Sequence, residues 1–282
     1  MVDTSSVGQL RARGRRTLAG PADSSFEADL LLSHVLNESR AWLYANDNAR
    51  VSNTNRDRYQ RLLERRARGE PVAYLLRVRE FWSLPFMVTP DVLIPRPETE
   101  LLVEVALECI PQGTAARLAD LGTGSGAVAI ALAVERPACE VHATDISQAA
   151  LEIARLNAHE LAPGRIALHQ GDWLEPLDGL FDVIVSNPPY IDQQDPHLER
   201  GDCRFEPREA LTPGPDGMAA IKHIAIGAGG SLRAGGCLAF EHGFEQGRAS
   251  RALLEKEGYV RIETRKDLEG HERLTMGFRP GD

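Results

Sequence analysis

The stretch RLADLGTGSGAVAIALAVE, residues 117–135, determines the fold class of this chain of 282 residues. Its beginning, RLADLG, predicts a short strand, and its nearly all-apolar end predicts a buried helix. The glycines at positions 122, 124 and 126 let the backbone turn tightly between the two and let a ligand approach it closely. The GxGxG spacing differs from the GxGxxG of dinucleotide-binding folds, and taken alone it suits a purely structural turn equally well.

Strands and helices alternate from this stretch to the end of the chain. Further strands are predicted at CEVHATD, RIALHQGD, FDVIVSN and GGCLAFEHG, and helices at residues 147–160, 218–226 and 245–257. The final segment, YVRIETRKDLEGHERLTMGFR, predicts two strands joined by a turn at Glu269–Gly270. This alternation predicts a Rossmann-like α/β fold with a mostly parallel sheet, helices on both faces and a terminal antiparallel hairpin.

The part of the chain that precedes this region has a different organisation. Residues 1–80 predict a small helical domain, in which Tyr59, Leu62, Leu63 and Arg66 follow helical spacing. Residues 81–100, FWSLPFMVTPDVLIPRPETE, combine prolines with β-formers and predict a hairpin or connector. Residues 101–282 then form the predicted α/β domain.

Charge is distributed unevenly along the chain. Residues 1–90 contain 14 Arg and 10 Asp or Glu, a net charge of +4, whereas the rest contains 18 basic and 31 acidic residues, a net charge of −13. An acidic body repels polyphosphate ligands. The basic front could contact RNA or an acidic protein, although we favour a solvated helix face. Scattered cysteines, no membrane-length apolar run and no secretory signal predict a cytoplasmic protein.

Polar and aromatic residues follow the second and third predicted strands. Asp145 stands about 20 residues beyond the glycines, where a carboxylate accepts hydrogen bonds from ribose hydroxyls, or it simply caps the helix at Ser147. Asp172 could accept a base amino group, and Trp173 could stack on the base or belong to the core. No Walker pattern is present, so a nucleoside without a polyphosphate, such as S-adenosylmethionine, fits an acidic site best.

The fourth strand ends in the motif NPPY, Asn187–Tyr190. Pro188 and Pro189 have no N–H and restrict the backbone, so the loop presents two fixed acceptors, the Asn187 side-chain carbonyl and the Pro188 backbone carbonyl. Two such acceptors match a planar –NH₂ group, and Tyr190 offers an aromatic wall. Orienting a poorly nucleophilic amide or base nitrogen in this way favours in-line methyl transfer. We therefore assign the catalytic role to Asn187, Pro188 and Tyr190, without a metal.

Six motifs in order, VLIPRPETE, DLGTGSG, GDW, NPPY, EHG and GHER, resemble the PrmC/HemK family of protein-(glutamine-N5) methyltransferases, which modify peptide-chain release factors. The resemblance covers nearly the whole chain from Pro71 onward. It implies a class I S-adenosylmethionine-dependent methyltransferase fold, preceded by a small helical domain that grips the release factor. It also implies that the substrate is the glutamine of a Gly-Gly-Gln loop, so that the chain supports translation termination.

The resemblance also suggests roles for individual residues. The amide of the substrate glutamine would be held by Asn187, Pro188, Pro189 and Tyr190. The cofactor would be contacted by Gly122, Thr123, Gly124, Ser125, Gly126, Asp145, Trp173 and Asn187, in addition to Asp172. Arg96 lies in the family-specific IPRPETE motif without an assignable role, and Arg77 stands where the family pattern calls for glycine. For Glu241 and His242 we favour structural hydrogen bonding.

Two other functions remain open at this stage. An amino methyltransferase of adenine or cytosine also uses NPPY, but it would need a basic groove for a flipped base, which the acidic body disfavours. A cofactor-binding scaffold without activity is the other alternative, and the intact glycine loop and NPPY motif argue against it. We expect a monomer that binds neither DNA nor membranes.

Overall fold

The computed structural model describes residues 5–18 and 24–281. The chain divides into two compact units, Met1–Arg77 and Val78–Asp282. The division falls three residues before the predicted end of the helical domain. The hairpin that the sequence assigns to a connector therefore belongs to the second unit.

The first unit is mainly helical in its described residues, and its one isolated bridge there joins Ser6 to Arg50. Its helices are α1 (Val7–Thr17), α2 (Ser24–Leu36), α3 (Arg40–Ala45), α4 (Asn53–Ala67) and α5 (Val72–Leu76). Three of them begin after a serine whose hydroxyl accepts a hydrogen bond from a backbone N–H in the first turn: Ser6, Ser39 and Ser52. The apolar positions of these helices form one core around fully buried side chains that include Leu31, Leu32, Leu43, Tyr59 and Leu63.

Arg77 ends α5 in a left-handed conformation, with φ of +59° and ψ of +29°. Glycine adopts this conformation at low cost, because it has no Cβ to collide with the following carbonyl group. Arg77 stands where the resemblance leads us to expect glycine, and glycine would adopt this conformation at a lower cost than arginine.

The second unit begins with an antiparallel hairpin of β1 (Val78–Phe81) and β2 (Leu84–Met87). Its remaining strands are β3 (Arg117–Leu121), β4 (Glu140–Asp145), β5 (Ile166–Gln170), β6 (Phe181–Ser186), β7 (Leu232–Glu241), β8 (Val260–Lys266) and β9 (Glu272–Phe278). Its helices are α6 (Glu100–Cys109), α7 (Ala127–Glu135), α8 (Gln148–Leu161), α9 (Arg208–Leu211), α10 (Ala219–Ser231) and α11 (Gly247–Lys256).

Strands β3 to β9 form one sheet in the order β5-β4-β3-β6-β7-β9-β8. The first five of these are parallel, and β9 pairs antiparallel with both β7 and β8. The predicted parallel sheet with a terminal antiparallel hairpin is confirmed. Because parallel strands end at the same edge, the segments that follow β3, β4, β5, β6 and β7 are brought together there.

Helices cover both faces of this sheet. On one face α6, α7 and α8 pack against the strands, and α7 is buried at almost every position, as its apolar composition predicts. On the other face the core contains Ile221 and Ile224 of α10 and Leu254 of α11. The sequence analysis did not predict α6, nor α9 and the short 3-10 turns at Pro196–Glu199 and Gly201–Phe205.

Candidate active site

A buried carboxylate in β3, directly before the glycine turn, stabilises that turn. Asp120, the fourth residue of β3, accepts hydrogen bonds from the Thr123 hydroxyl at 2.6 Å and from the Ala129 N–H at 3.1 Å. Burial raises the pKa of Asp120 to about 6, and the two hydrogen bonds oppose that shift. Thr123 therefore stabilises the turn from within, because its hydroxyl donates a hydrogen bond to Asp120.

The glycines of the turn adopt left-handed conformations, with φ between +56° and +83°. A Cβ on Gly126 would lie 3.0 Å from the Ile130 side chain and 3.4 Å from that of Ala154, whereas a Cβ on Gly124 would meet nothing within 4 Å. Gly126 thus allows α7 to pack closely, and Gly124 leaves open space above the turn. Ser125 is buried, and its carbonyl accepts a hydrogen bond from the Asn157 side chain at 2.8 Å.

Asp145 ends β4 beside this turn. Its Oδ2 accepts a hydrogen bond from the Gly124 N–H at 2.8 Å, and its Oδ1 accepts one from the Ser147 N–H at 2.9 Å. Ser147 itself is the N-cap of α8, with its hydroxyl accepting from the Ala150 N–H at 3.2 Å. The carboxylate therefore joins the glycine turn to the start of α8, and each of its oxygens keeps a second lone pair for a ligand. Burial raises the pKa of Asp145.

A cavity of about 420 Å³ lies at this edge of the sheet. We call it the main cavity, and the predicted residues on its wall are Gly122, Asp145, Asp172, Trp173, Asn187 and Pro189. The structure thus brings together residues that follow β3, β4, β5 and β6. Thr123, Gly124, Ser125 and Gly126 are not part of this wall, and the contacts above show that Thr123 and Ser125 instead stabilise the turn.

Trp173 contacts both the core and the main cavity, so the core position that the sequence analysis considered does not exclude the predicted contact with a base. It packs against the core on the α10 side of the sheet, and it also lines the main cavity. A Cβ on Gly122 would lie 3.2 Å from the indole ring, so the absence of a side chain at Gly122 is what lets the ring approach the turn. The ring is thereby fixed where it borders both the turn and the ligand space.

Sequence reasoning missed several residues of the main cavity. Ile146 directly follows the carboxylate of β4 and is 67% exposed, which is unusual for isoleucine at the end of a buried strand. An exposed apolar side chain beside the Asp145 carboxylate is suited to contact with a flat apolar group. Most of the other missed residues come from the segment before α6 and from α9 and the residue before it: Pro90, Asp91, Leu93, Pro207, Glu209 and Ala210. The rest are Gly171 after β5 and, at the start of α8, Ser147, Ala149 and Ala150.

A second, smaller cavity of about 40 Å³ adjoins the NPPY motif, and we call it the small cavity. All four residues of the motif line it, Asn187, Pro188, Pro189 and Tyr190, together with Arg96 and Glu241. Asn187 and Pro189 border both cavities. The motif therefore lines both a space large enough for a nucleoside and a smaller space that adjoins it.

Hydrogen bonds anchor both ends of the NPPY motif. Asn187 Nδ2 donates to Thr99 Oγ1 at 3.1 Å, and the Tyr190 hydroxyl donates to Glu241 Oε1 at 2.9 Å. Burial raises the pKa of Glu241, and the Glu241 carboxylate together with burial raises the pKa of Tyr190 well above its usual value. The sequence analysis had assigned Glu241 a structural role without placing it against this motif.

Arg96 forms an ion pair with Glu206, and the same carboxylate accepts a hydrogen bond from the Ile94 N–H at 3.1 Å. The Glu206 side chain is fully buried, and burial raises its pKa against the opposing effect of Arg96. This pair joins the IPRPETE segment to the segment that precedes α9. Arg96 is therefore held at the wall of the small cavity by a residue that lies 110 positions away.

The remaining candidate residues have contacts typical of structural roles. His242 is fully buried and bonds to Thr275 Oγ1 and to the Gly243 carbonyl, both at 2.9 Å.

Among residues 5–18 and 24–281, no cluster of three or more His, Cys, Asp or Glu side chains is arranged to hold a metal ion. In the same described ranges no helix is long and apolar enough to span a membrane.

Comparison with known proteins gives matches in both units. Residues 98–202 match the family model of the methyltransferase small domain, and residues 9–76 match that of the PrmC N-terminal domain. The chain is 49% identical over 263 residues to the release factor glutamine methyltransferase of Bordetella pertussis, which covers 93% of this chain and 97% of that protein. The Escherichia coli K12 protein of the same name is 47% identical over 252 residues, 89% of this chain and 91% of that protein.

Solved structures give the same fold. A methyltransferase from Pyrococcus furiosus aligns with a TM-score of 0.54 at 21% identity, over 80% of this chain and 99% of that chain. A 16S rRNA N2 G1207 methyltransferase from Thermus thermophilus, solved with AdoMet and guanosine, aligns with a TM-score of 0.53 at 19% identity, over 72% of this chain and 49% of that chain. At such low identities these likenesses establish the methyltransferase fold alone.

Proposed function

The chain belongs to the release factor glutamine methyltransferase family, and we propose that it methylates the side-chain amide nitrogen, N5, of the glutamine in the Gly-Gly-Gln motif of a peptide-chain release factor. S-adenosylmethionine is its methyl donor. The product is a release factor that carries N5-methylglutamine at this position, where it supports translation termination.

One observation carries this proposal beyond the family assignment. Asn187 and Pro189 line both the main cavity and the small cavity, so a nucleoside-sized space and a smaller space adjoin at the acceptor loop. A methyl transfer needs its donor and its acceptor on opposite sides of the reacting carbon, in line with each other. The position of the NPPY motif suits that requirement.

The residues of the main cavity fit S-adenosylmethionine. Asp145 has lone pairs for the two ribose hydroxyls, while Ile146 and Trp173 offer apolar surface to the adenine ring, and Asp172 offers an acceptor to its amino group. Gly122 is the residue of the glycine turn that lines this cavity, and without a side chain it lets ligand atoms approach the backbone there. When bound, the cofactor supplies an electrophilic methyl group on a sulfonium, whose positive charge suits a cavity lined by carboxylates.

The NPPY motif can orient the nitrogen of a glutamine amide. Asn187 Nδ2 is committed to Thr99, so Asn187 Oδ1 is the atom left to accept one N–H of the substrate. The backbone carbonyl of Pro188 can accept the other N–H, and two accepted hydrogen bonds fix the plane of the –NH₂ group. Two carbonyl dipoles also stabilise the positive charge that develops on nitrogen during transfer. A proton then leaves the nitrogen after the transfer, so a strong general base is not required.

We propose that the helical first unit helps to bind the release factor. Residues 1–90 carry a net charge of +4, in contrast to −13 for the rest of the chain. Arg13, Arg15 and Arg16 of α1 and Arg58 and Arg61 of α4 are exposed. Such a surface is suited to an acidic patch on a protein partner.

The proposed function is tested with radiolabelled S-adenosylmethionine and a purified release factor. The same factor with its Gly-Gly-Gln glutamine changed to alanine is the substrate control, and Asn187→Ala is the enzyme control. We expect label on the unchanged factor alone, and a loss of label with Asn187→Ala of about 100-fold or more because the nitrogen is no longer oriented. Label on added tRNA or DNA, with none on the release factor, would overturn the assignment of the substrate.

A further inference from the structure

We propose that Thr99 and Glu241 are positioning residues that fix which end of the Asn187 side-chain amide, the oxygen or the nitrogen, points toward the substrate. The inference rests on the proposed function, because it concerns the loop that holds the glutamine amide. Neither residue touches the reacting atoms in this account. Their effect is exerted through Asn187, which presents either a carbonyl oxygen or an –NH₂ group to the small cavity.

The contacts form a continuous chain of hydrogen bonds. Asn187 Nδ2 lies 3.1 Å from Thr99 Oγ1, and Thr99 Oγ1 lies 2.7 Å from Glu241 Oε2. The other carboxylate oxygen, Glu241 Oε1, accepts from the Tyr190 hydroxyl at 2.9 Å. Thr99 is 5% exposed and Glu241 is 3% exposed, so water does not replace these partners easily.

The direction of each hydrogen bond follows from the number of protons available. The two oxygens of Glu241 accept from two hydroxyls, those of Thr99 and Tyr190, so the single hydroxyl proton of Thr99 is donated to Glu241. The Thr99 oxygen can then only accept a hydrogen bond from Asn187. This requires the Nδ2 end of the Asn187 amide to face Thr99, which leaves Oδ1 facing the ligand space. A glutamine –NH₂ group needs an acceptor at that point, and the opposite orientation would place two –NH₂ groups against each other.

Glu241 also stabilises the far end of the same loop. Its second oxygen holds the Tyr190 hydroxyl, so one buried carboxylate constrains both the first and the last residue of the motif. Pro188 and Pro189 lie between them and restrict the intervening backbone. The loop is thereby fixed at its two ends and along its length before a substrate binds.

The variant Glu241→Gln separates this inference from a purely structural role. The new side-chain amide could still accept from Tyr190 with its oxygen and donate to Thr99 with its nitrogen, so every partner would remain hydrogen-bonded. The Thr99 proton would then be released to point at Asn187, so the constraint that keeps Asn187 Nδ2 toward Thr99 would be lost and the amide could turn around. A near-isosteric and fully bonded variant is thus expected to fold normally and to lose activity.

Kinetics with the release factor substrate give the first readout. We expect Glu241→Gln and Thr99→Val to lower kcat by about 10-fold to 100-fold, the range for a misdirected transition-state contact, with little change in KM for the release factor or in the affinity for S-adenosylmethionine. Thr99→Ser keeps the hydroxyl and is expected to retain most of the turnover. Wild-type kcat in both Glu241→Gln and Thr99→Val would overturn the inference, and so would equal losses in Thr99→Val and Thr99→Ser.

A second readout does not depend on activity. The side-chain amide signal of Asn187 in a ¹H–¹⁵N spectrum is assigned by its disappearance in Asn187→Ala. Its protons should exchange with water more rapidly in Glu241→Gln than in the wild type, because the turned –NH₂ group faces the cavity. Unchanged exchange would refute the positioning role. Failure of the wild type to label the release factor would instead refute the proposed function, and the exchange comparison would still decide the positioning role.

Discussion

Replacing Asp145 with asparagine is expected to weaken the binding of S-adenosylmethionine and to change the fold only locally. The wild-type carboxylate accepts from the Gly124 N–H at 2.8 Å and from the Ser147 N–H at 2.9 Å, one bond on each oxygen. Asparagine has only one oxygen, so it cannot accept both bonds. Its –NH₂ group would have to face one of the two N–H donors, which disturbs the junction between the glycine turn and α8.

The size of the effect follows from the loss of a charged acceptor. A hydrogen bond to an ionised group contributes about 1.5–3 kcal/mol, and about 1.4 kcal/mol corresponds to a tenfold change in affinity. Loss of one such bond to a ribose hydroxyl therefore raises Kd by about 10-fold to 100-fold. Isothermal titration calorimetry with S-adenosylmethionine measures this change directly.

A matched control distinguishes the contact from the loss of one negative charge. Glu140 stands at the opposite end of β4, where its exposed carboxylate bonds to Arg117 and His142. Glu140→Gln removes the same charge from the same strand and is expected to leave Kd unchanged. Equal affinities in Asp145→Asn and the wild type would refute the role assigned to Asp145, and equal losses in Asp145→Asn and Glu140→Gln would attribute the effect to overall charge.

Three further predictions concern stability. Burial raises the pKa of Asp120 from 3.8 to about 6, so the folded protein retains a proton that the unfolded chain releases, and this contribution to stability is lost as pH rises between those values. The free energy of unfolding therefore falls with pH by at most about 1.4 kcal/mol per pH unit on account of this group. Asp120→Asn should remove this pH dependence from urea unfolding measured across the same range. An unchanged pH dependence would contradict the assignment. Gly126→Ala combines a left-handed backbone with a contact 3.0 Å from Ile130, whereas Gly113→Ala has a similar φ and nothing within 4 Å. Gly113→Ala should cost about 1–2 kcal/mol and Gly126→Ala clearly more, and equal costs would show that crowding is unimportant. Arg77→Gly should stabilise the protein by about 1 kcal/mol, because it relieves a left-handed conformation at the end of α5, and an unaltered unfolding midpoint would contradict that account.

The order of most strands and helices, the glycine turn and the rigid loop at the NPPY motif could be predicted from the sequence. Each depends on neighbouring residues: an apolar run predicts α7, alternation with helices predicts a parallel sheet, and two prolines after β6 predict a rigid loop. The carboxyl ends of parallel strands meet at one edge, so the meeting of Asp145, Trp173 and Asn187 at one cavity also followed from the pattern.

Other features were decided by the tertiary structure alone. The sequence contains Thr99, Glu241 and Glu206, but their pairing with Asn187, Tyr190 and Arg96 depends on the sheet order and on a segment between β6 and α10 that has no periodic pattern. The different roles of residues 122–126 were also decided by the tertiary structure. Gly122 lines the cavity, whereas Thr123 and Ser125 make hydrogen bonds that stabilise the turn. Local periodicity is a property of adjacent residues, whereas contacts across 51 to 142 positions exist only after the strands have paired.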